Sequence, residues 1–338
     1  MTNHEAGERI RSIKARMGDR LVILGHHYQS DNIIGVSDYV GDSLELARLS
    51  SRIEKAQKIV FCGVYFMAET AAVLAAGKEV YIPDPMAGCP LAAMADIDEV
   101  ERAWKKIMEI NASVLPITYV NSSGEIKAFC GRNSGTVCTS GNAQRVFEWA
   151  FEKADTIFFM PDRNLGRNTA RAMGIPDKEI LLWDGTPGDD MIRNARVILW
   201  NGWCPVHCPQ ITADQIRELK REDPDIKVIV HPEADPEAVE AADASGSTSG
   251  ILEYVKAMDI GQSVAVGTEY NMVARLADSY HALVQVVPVT KIYCEDMGRI
   301  TLERLYACLS GFDDRFRVRV DETIARDVRV ALKRMLEI

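Results

Sequence analysis

Short runs of β-branched and other apolar residues recur along the chain and predict the strands of buried sheets. Ten such runs begin about 19 to 40 residues apart, at 21–24, 58–62, 79–82, 117–120, 136–138, 156–160, 196–200, 227–230, 263–266 and 291–293. Most intervals have the apolar spacing of amphipathic helices, at 43–53, 98–110, 142–153, 212–221 and 250–258. Strands alternating with helices of this length indicate βαβ units and parallel sheets covered on both faces.

Helix-start signals support this pattern. Thr212 and Gln215 fit a capping box, and Asp235 stands before a proline at the first helical position. The closing segment, 323–338, has the spacing of an amphipathic helix. The unit of a strand followed by a polar end recurs at least nine times. Several similar sub-domains accommodate that number better than one large sheet does.

Nearly every predicted strand ends in a cluster of polar or small residues. These clusters are rich in His, Tyr, Asn and Ser rather than Lys and Glu, and they contain four of the six histidines. Ligands bind at the carboxyl ends of the strands in parallel α/β proteins. We therefore expect a binding or catalytic site built from strand ends, although polar loops are common in any fold.

Composition and charge narrow the class of function. The 338 residues include 39 Lys and Arg against 49 Asp and Glu, a net charge of −10. An acidic chain without a basic run is a poor binder of nucleic acid or anionic membrane. The first 20 residues lack the apolar stretch of a secretory signal, and no apolar run approaches the roughly 20 residues of a membrane helix. We expect a cytoplasmic protein that acts on small molecules.

Seven of the eight cysteines fall into two groups by position, and the eighth, Cys208, lies four residues after Cys204, a spacing that is weak evidence by itself. Four lie within apolar or helical patterns and are expected in the core: Cys62, Cys130, Cys138 and Cys308. Cys89, Cys204 and Cys294 each stand just beyond a predicted strand. No CxxC pair is present, so neither a zinc-ribbon nor a ferredoxin spacing exists. Spacing alone leaves packing, catalysis and metal ligation open for these three.

Other strand-end clusters have two interpretations each. The Ser- and Gly-containing turns at 246–250 and 139–142 precede helical patterns, and such helix starts bind phosphate or carboxylate or are simply capped. His231 and Glu233 form an acid–base pair or a structural hydrogen bond. His26 and Tyr28 stand at the end of the first strand, where a core histidine is the alternative to a functional one.

Twelve motifs follow one another in order across almost the whole chain: LGHHYQ, GDS, FMAETAA, GCPLA, YVNSS, CTSGNA, MPDRNLG, WNGWCPVH, HPE, GSTSG, GTE and the segment around Cys294. Together they resemble the quinolinate synthase family, iron–sulfur enzymes of NAD biosynthesis. The resemblance implies three similar three-layer α/β/α domains with parallel sheets in a pseudo-threefold arrangement and an active site at their junction. The implied domains are 1–90 with 295–338, then 91–203, then 204–294.

The resemblance also implies a cofactor and a reaction. A [4Fe-4S] cluster would be held by Cys89, Cys204 and Cys294, with one iron left open as a Lewis acid. The enzyme, a transferase, would condense iminoaspartate with dihydroxyacetone phosphate to give quinolinate, phosphate and water. These two small molecules are the expected partners, with functional coupling to the enzyme that supplies iminoaspartate. The alternatives are a cluster-free or zinc-dependent phosphosugar isomerase or aldolase, and a non-catalytic iron or redox sensor.

Substrate-contacting positions of the family map onto eleven residues: His26, Tyr28, Ser43, Tyr119, Asn121, Ser140, His231, Glu233, Ser247, Thr248 and Thr268. We expect proton transfer by His231 and Glu233, and polarisation of a carbonyl or proton relay by His26 and Tyr28. The remaining residues would hold carboxylates or phosphate. The motifs contain almost no Lys or Arg, so helix N-termini and hydroxyls are expected to bind the anions.

Overall fold

Three parallel sheets form the framework of the computed structural model, which describes residues 1–75 and 77–338. The first sheet contains β1 (Leu21–His26), β2 (Tyr39–Gly41), β3 (Lys58–Cys62) and β4 (Glu79–Tyr81). The second contains β5 (Val114–Tyr119), β6 (Thr136–Cys138), β7 (Thr156–Met160), β8 (Ile180–Trp183) and β9 (Val197–Trp200). The third contains β10 (Lys227–Val230), β11 (Ala244–Ser245), β12 (Ser263–Gly267) and β13 (Gln285–Pro288).

The three sheets share one winding order. The strands lie side by side as β2-β1-β3-β4, as β6-β5-β7-β9-β8 and as β11-β10-β12-β13. In each sheet the first strand is central, its successor lies on one side and the third strand on the other, and β8 is an additional edge strand. The central strands β5, β7 and β9 are buried along their whole length, as in sheets covered on both faces. This repetition confirms the predicted class of three α/β/α units.

Helices fill the intervals between the strands. Those of the first two units are α1 (Asn3–Met17), α2 (Asp31–Ile34), α3 (Ser43–Arg52), α4 (Tyr65–Leu74), α5 (Pro90–Ala93), α6 (Ile97–Ile110), α7 (Gly124–Arg132), α8 (Ala143–Phe151), α9 (Arg163–Ala172) and α10 (Asp189–Asn194). The others are α11 (Ala213–Glu222), α12 (Pro236–Ala241), α13 (Thr248–Lys256), α14 (Tyr270–Tyr280), α15 (Glu295–Gly298), α16 (Leu302–Gly311) and α17 (Glu322–Glu337). None of the described helices is long and apolar enough to cross a bilayer.

The predicted helix starts correspond to real ones. Thr212 and Gln215 form the capping box of α11, with reciprocal backbone and side-chain bonds. Asp235 precedes α12 with proline at its first position, but its side chain makes no capping bond. The six predicted helices agree with the observed ones to within two residues at either end.

Nine of the ten predicted strands are present, and the predicted strand at 291–293 is wrong. That segment is the loop between β13 and α15, and the strand of this region is β13. Four strands were not predicted, β2, β8, β11 and β13, and all four lie at sheet edges. Strands β2, β11 and β13 are short and partly solvated, so they lack the continuous apolar run that marks a central strand. Strand β8 differs, because it is a mostly buried apolar run, ILLW, that the predicted strands left out.

The C-terminal helices return to the first two units. Helix α16 packs on α1, and α17 packs on α7 and β6. Arg334 of α17 donates to the carbonyl of Gly135 at 2.6 Å, and a Cβ on Gly131 would come 2.1 Å from the carbonyl oxygen of Asp327. The close approach of α17 and α7 therefore requires glycine at 131.

The domain boundaries given above stay predictions.

Candidate active site

One cavity lies where the carboxyl-terminal edges of the three sheets meet. Twelve of the fourteen predicted site residues line it: His26, Tyr28, Ser43, Cys89, Tyr119, Asn121, Ser140, Cys204, His231, Glu233, Thr248 and Cys294. They follow strands of all three sheets, so residues far apart in sequence surround a single space. This convergence follows from the parallel topology, because every strand of a parallel sheet ends at the same edge.

The two remaining predicted residues lie next to the cavity rather than on its surface. Thr268 is fully buried at the end of β12, and its Oγ1 lies 2.8 Å from the hydroxyl of Tyr28. Ser247 caps α13 and accepts a hydrogen bond from the N–H of Gly250 at 3.1 Å. Thr268 therefore contacts the cavity through Tyr28, whereas Ser247 supports the helix that presents Thr248.

The three cavity cysteines come from three different sheets. Cys89 follows β4, Cys204 follows β9 and Cys294 follows β13. Each of them is partly exposed, whereas the other five cysteines are buried: Cys62, Cys130, Cys138, Cys208 and Cys308. All eight are free thiols. The four cysteines expected in the core are therefore inaccessible, and the cavity holds three sulfur donors.

Backbone N–H groups surround these sulfurs. Burial raises the pKa of Cys89 to about 12 and that of Cys294 to about 11, and it raises the pKa of Cys204 well above its ordinary range. Cys89 and Cys294 are the N-cap residues of α5 and α15, and the N–H groups that follow each of them lower the thiol pKa in opposition to burial. Thiolates here need further positive charge, which a bound metal supplies.

His26 and His231 adopt the same local arrangement at the ends of β1 and β10. Nδ1 of His26 accepts a hydrogen bond from the N–H of Tyr28 at 3.1 Å, and Nδ1 of His231 accepts one from the N–H of Glu233 at 3.3 Å. Burial lowers the pKa of His26 to about 3, so its imidazole is neutral. With Nδ1 as acceptor, the single proton of a neutral ring is on Nε2, which makes that atom a donor.

His207 is a site residue that sequence reasoning did not select. Its Nδ1 lies 2.7 Å from Oε2 of Glu233, its Nε2 lies 3.0 Å from Oγ1 of Thr268, and its ring stacks on His231 with centroids 4.4 Å apart. Burial lowers its pKa, and Glu233 opposes that effect. A signal was present, because His207 belongs to the WNGWCPVH strand end that also carries Cys204.

Glu233 is a buried carboxylate with one free oxygen. Burial alone raises its pKa, but the neighbouring His231 and His207 outweigh burial, so the pKa lies well below its ordinary value. Among the described residues, its Oε1 has no hydrogen-bond partner, and neither does Oδ1 of Asn121. Both residues line the cavity. These two oxygens are therefore acceptors available to a ligand.

Asp162 is a second residue that the sequence analysis passed over, although it lies in the MPDRNLG motif. It is fully buried and caps α9, with Oδ1 accepting from the N–H of Leu165 at 2.8 Å. Burial, reinforced by the charge of Glu233, raises its pKa well above the ordinary value. Asp162 thus adds a second buried carboxyl group next to Glu233, behind the cavity wall.

Side chains of α14 hold the turn that carries Tyr28. Arg275 donates to the carbonyls of His27 and Gln29 at 2.9 and 2.6 Å, and Asn271 donates to the carbonyl of Tyr28 at 3.2 Å. Three consecutive carbonyls of the first unit are therefore bound by one helix of the third unit. This fixes the direction in which the phenol of Tyr28 enters the cavity.

Helix α9 holds the turn that carries Glu233 in the same way. Asn164 donates to the carbonyl of Glu233 at 3.2 Å, and Asn168 donates to those of Pro232 and Ala234 at 2.9 and 3.0 Å. The two asparagines occupy the second and sixth positions of α9, as Asn271 and Arg275 do in α14. The units therefore position each other's strand ends through equivalent helix positions.

The cavity lining combines helix starts with metal-binding side chains. Ser43 and Thr248 open α3 and α13, whose first N–H groups favour anions. One ligand atom each from Cys204, His207 and Glu233 lie within 4.8 Å of one another, a donor set that suits a cation. The site can therefore hold a metal centre and anionic groups side by side.

The chain is similar to known proteins over its full length. The family model described as "Quinolinate synthetase A protein" matches residues 8–337. A quinolinate synthase of Halalkalibacterium halodurans is 42% identical over 348 residues, covering 100% of this chain and 94% of the relative. One of Corynebacterium glutamicum is 43% identical over 354 residues, covering 100% of this chain and 88% of the relative. One of Rhodopirellula baltica is 41% identical over 365 residues, covering 100% and 92%.

Proposed function

The chain belongs to the quinolinate synthase family, and we propose that it condenses iminoaspartate with dihydroxyacetone phosphate to form quinolinate for NAD synthesis. The two substrates together lose one phosphate and two waters in this reaction. The single observation that carries the proposal is the cavity in which all three sheets end, with one thiol from each sheet beside three buried histidines and the carboxylate of Glu233. Free thiols fit the reducing cytoplasm as the place of action.

We propose that Cys89, Cys204 and Cys294 hold a [4Fe-4S] cluster. The donor chemistry fits, because these are three thiols that are partly exposed in one cavity and that receive backbone N–H groups. When bound, a cluster with three cysteine ligands supplies a Lewis acid that assists the departure of hydroxide from a substrate. Five other cysteines are buried outside the cavity lining and are not ligands in this proposal.

Glu233 is proposed as the base that removes a proton from carbon. It is ionised and has a free oxygen in the cavity, so it can accept a proton, and its lowered pKa makes it a weaker base than an ordinary carboxylate. His231 and His207 flank it and would receive or return that proton. Burial and the charge of Glu233 raise the pKa of Asp162, so Asp162 favours its protonated form and adds no second negative charge beside Glu233.

Tyr28 and His26 are proposed to polarise the ketone and to protonate oxygen. Burial raises the pKa of Tyr28 far above its ordinary value, so the phenol stays a proton donor. His26 is neutral with its proton on Nε2, which makes that edge of the ring a hydrogen-bond donor toward developing charge on oxygen. Neither group needs to change charge before substrate binds.

Hydroxyls and helix starts are proposed to bind the carboxylates and phosphate. Ser43, Ser140 and Thr248 present hydroxyls in the cavity near the starts of α3, α8 and α13. Tyr119 and Asn121 extend this polar surface from the end of β5, and Ser247 and Thr268 support it from behind. Orientation of both substrates by fixed groups lowers the entropic cost of joining them.

The grouping of Cys204, His207 and Glu233 favours a second candidate, a zinc-dependent isomerase or aldolase of phosphosugars. Three such ligands with an open position are typical of catalytic zinc. Cys89 separates the two proposals because it belongs to the cluster ligands but not to this group. Full activity of Cys89→Ala with bound zinc and without iron would favour the second candidate.

An anaerobic assay tests the proposed function. Protein purified without oxygen is expected to be brown and to form quinolinate from iminoaspartate and dihydroxyacetone phosphate. Formation of quinolinate by a colourless, iron-free protein would overturn the role of the cluster. A brown protein that forms no quinolinate from these two substrates would overturn the reaction.

A further inference from the structure

Lys127 is a buried cation that the proposed mechanism does not use. Of the lysines and arginines in the described part of the chain, it alone is buried, with 1% of its surface exposed. Its Nζ donates to the carbonyl of Ser122 at 2.6 Å and lies 5.3 Å from the centre of the Phe66 ring. A buried ammonium group costs free energy unless negative charge lies nearby. Its place in the fold therefore requires a source of negative charge.

Glu69 compensates this charge only in part. It is the carboxylate that acts most strongly on Lys127, but no carboxylate oxygen of the described residues forms an ion pair with Nζ within 4.0 Å. The carboxylate of Glu69 instead lies against the first residue of α7, since a Cβ on Gly124 would come 2.8 Å from its Oε1. Glu69 is thus directed to a helix start, which itself favours an anion.

Lys127 lies directly behind the wall of the active-site cavity. Phe66, on which the ammonium rests, lines the cavity, and Ser122 follows the lining residue Asn121. Burial lowers the pKa of Lys127 to about 8, while negative charge on Glu69 and Cys89 opposes that effect. The group is therefore mostly protonated at neutral pH and lies within electrostatic range of Cys89.

The cavity has no fixed positive charge of its own among the residues described. Its lining includes the carboxyl groups of Asp42 and Glu233 but no lysine or arginine. In the proposed function it must also take up thiolates and substrates with carboxylate and phosphate groups. In a poorly screened interior, a cation just behind the wall acts on such charges more strongly than it does in water.

We propose that Lys127 is the buried counter-cation of this site, a positioning residue that acts through the wall lined by Phe66 and Asn121 on anionic ligands and on the cluster. This inference rests on the proposed function. Lys127 belongs to the second unit, which would therefore supply the positive charge that the cavity lining lacks. This role also explains why a costly buried ammonium is held by a backbone carbonyl rather than by a close carboxylate.

The test compares Lys127→Met with Lys127→Arg and with the matched control Lys106→Met. Lys106 also donates to a backbone carbonyl, that of Pro187 at 2.8 Å, but it lies on α6 outside this cavity. Two quantities are measured on the anaerobically purified holoenzyme. They are the midpoint potential of the cluster and the dissociation constants of quinolinate and of its uncharged diamide.

Removal of the charge is expected to affect charged species selectively. In Lys127→Met, quinolinate should bind about tenfold or more weakly, the diamide should bind as in the wild type, and the midpoint potential should fall because reduction adds negative charge. Lys127→Arg should restore both quantities, and Lys106→Met should change neither. Equal behaviour of Lys127→Met and Lys106→Met, or equal losses for quinolinate and the diamide, would overturn the inference.

Glu69→Gln gives a second test if Lys127→Met does not fold. It removes the partial compensation of Lys127 while keeping an acceptor at the start of α7, so quinolinate should bind more tightly and the midpoint potential should rise. A change in the opposite direction, or none, would overturn the inference. A wild-type protein that holds no cluster and binds no quinolinate would overturn the proposed function itself, so the two failures are distinguishable.

Discussion

The hydroxyl of Tyr28 lies 2.8 Å from Oγ1 of Thr268, which joins the end of the first sheet to the end of the third. Oγ1 of Thr268 in turn lies 3.0 Å from Nε2 of His207, whose Nδ1 lies 2.7 Å from Oε2 of Glu233. Four side chains therefore form a continuous line of polar contacts from a phenol to a carboxylate. Thr268 is its central member and does not itself line the cavity.

Replacement of Thr268 tests this line of contacts. Thr268→Val keeps the shape but removes the hydroxyl that connects Tyr28 to His207, and we expect kcat to fall about tenfold or more. The free energy of unfolding should also fall by about 1–3 kcal/mol, because Nε2 of His207 loses its partner and the hydroxyl of Tyr28 keeps only its contact with Thr248. Steady-state kinetics and urea unfolding measure these effects. Thr268→Ser, which keeps a hydroxyl, is the control, and a fully active Thr268→Val would exclude a relay.

The turn of Tyr28 should depend on Arg275. Arg275→Ala removes donors to two carbonyls that flank Tyr28, so the phenol loses its fixed direction and kcat should fall about tenfold. Arg275→Lys should recover only part of this loss, because a single ammonium does not reproduce the guanidinium fork. Arg171→Ala, which removes an exposed ion pair with Asp177, is the control. Unchanged kinetics in Arg275→Ala would show that α14 does not position Tyr28.

His26 should make stability depend on pH. Its folded-state pKa of about 3 lies below the ordinary 6.5, so between these values the unfolded chain binds a proton that the folded protein does not. The free energy of unfolding is therefore lost as pH falls from 6.5 toward 3, by about 2 kcal/mol between pH 7 and pH 5. Urea unfolding of the metal-free protein at the two pH values measures the difference.

His26→Gln should remove the share of this loss that His26 contributes, whereas His207 and His27, whose pKa values burial also lowers, keep theirs. His4→Gln, at an exposed position of α1, should retain the wild-type slope. If His26→Gln and the wild type lose the same free energy between pH 7 and pH 5, the buried imidazole is not the cause.

Asp84 should help to retain the metal centre. It accepts from Arg299 and Arg304 at 2.9 and 2.7 Å, and Asp296 accepts from the N–H of Gly88 at 3.1 Å. These contacts join the loop of Cys89 to the segment after Cys294. Asp84→Asn weakens two charge-assisted bonds, so iron should be lost to a chelator several-fold faster than from the wild type.

The control for this measurement is Asp177→Asn, which weakens an exposed ion pair far from the cysteines. Because exposed pairs contribute little, its rate of iron loss should equal that of the wild type. Equal rates for Asp84→Asn and Asp177→Asn would mean that the contact between the two loops does not protect the cluster.

Central strands and a site at the strand ends could be predicted from local patterns, whereas the meeting of three domains at one site and its residues were implied by the family resemblance. The buried runs of β5 and β7 are visible as continuous apolar segments, and the polar residues after them are visible as strand ends. The edge strands β11 and β13 could not be recognised in this way, since two or four residues with partial solvent contact carry no periodic signal. The strand predicted at 291–293 was wrong for a related reason, because an apolar run of three residues does not distinguish a strand from a loop.

The side-chain contacts between the three units could not be predicted from local patterns either. Nothing in the neighbourhood of Asn168 or Arg275 indicates that these side chains bind carbonyls of another unit. In the sequence, Lys127 is indistinguishable from a surface lysine of a helix. Its burial becomes visible only in the fold, where the ring of Phe66 lies against it. His207 could have been predicted as a site residue, because it stands three residues after Cys204 in a strand-end cluster. Its contact with Glu233 could not, because that contact depends on the tertiary fold.

The central claim is that one thiol from each sheet holds a single cluster, and cysteine variants test it most directly. Iron content and visible absorbance are measured for anaerobically purified Cys89→Ser, Cys204→Ser and Cys294→Ser, with Cys208→Ser as the control. The control removes a buried thiol only four residues from Cys204. We predict about four irons per chain in the wild type and the control, and loss of the cluster in each of the other three. Retention of a full cluster in any of those three variants would contradict the account.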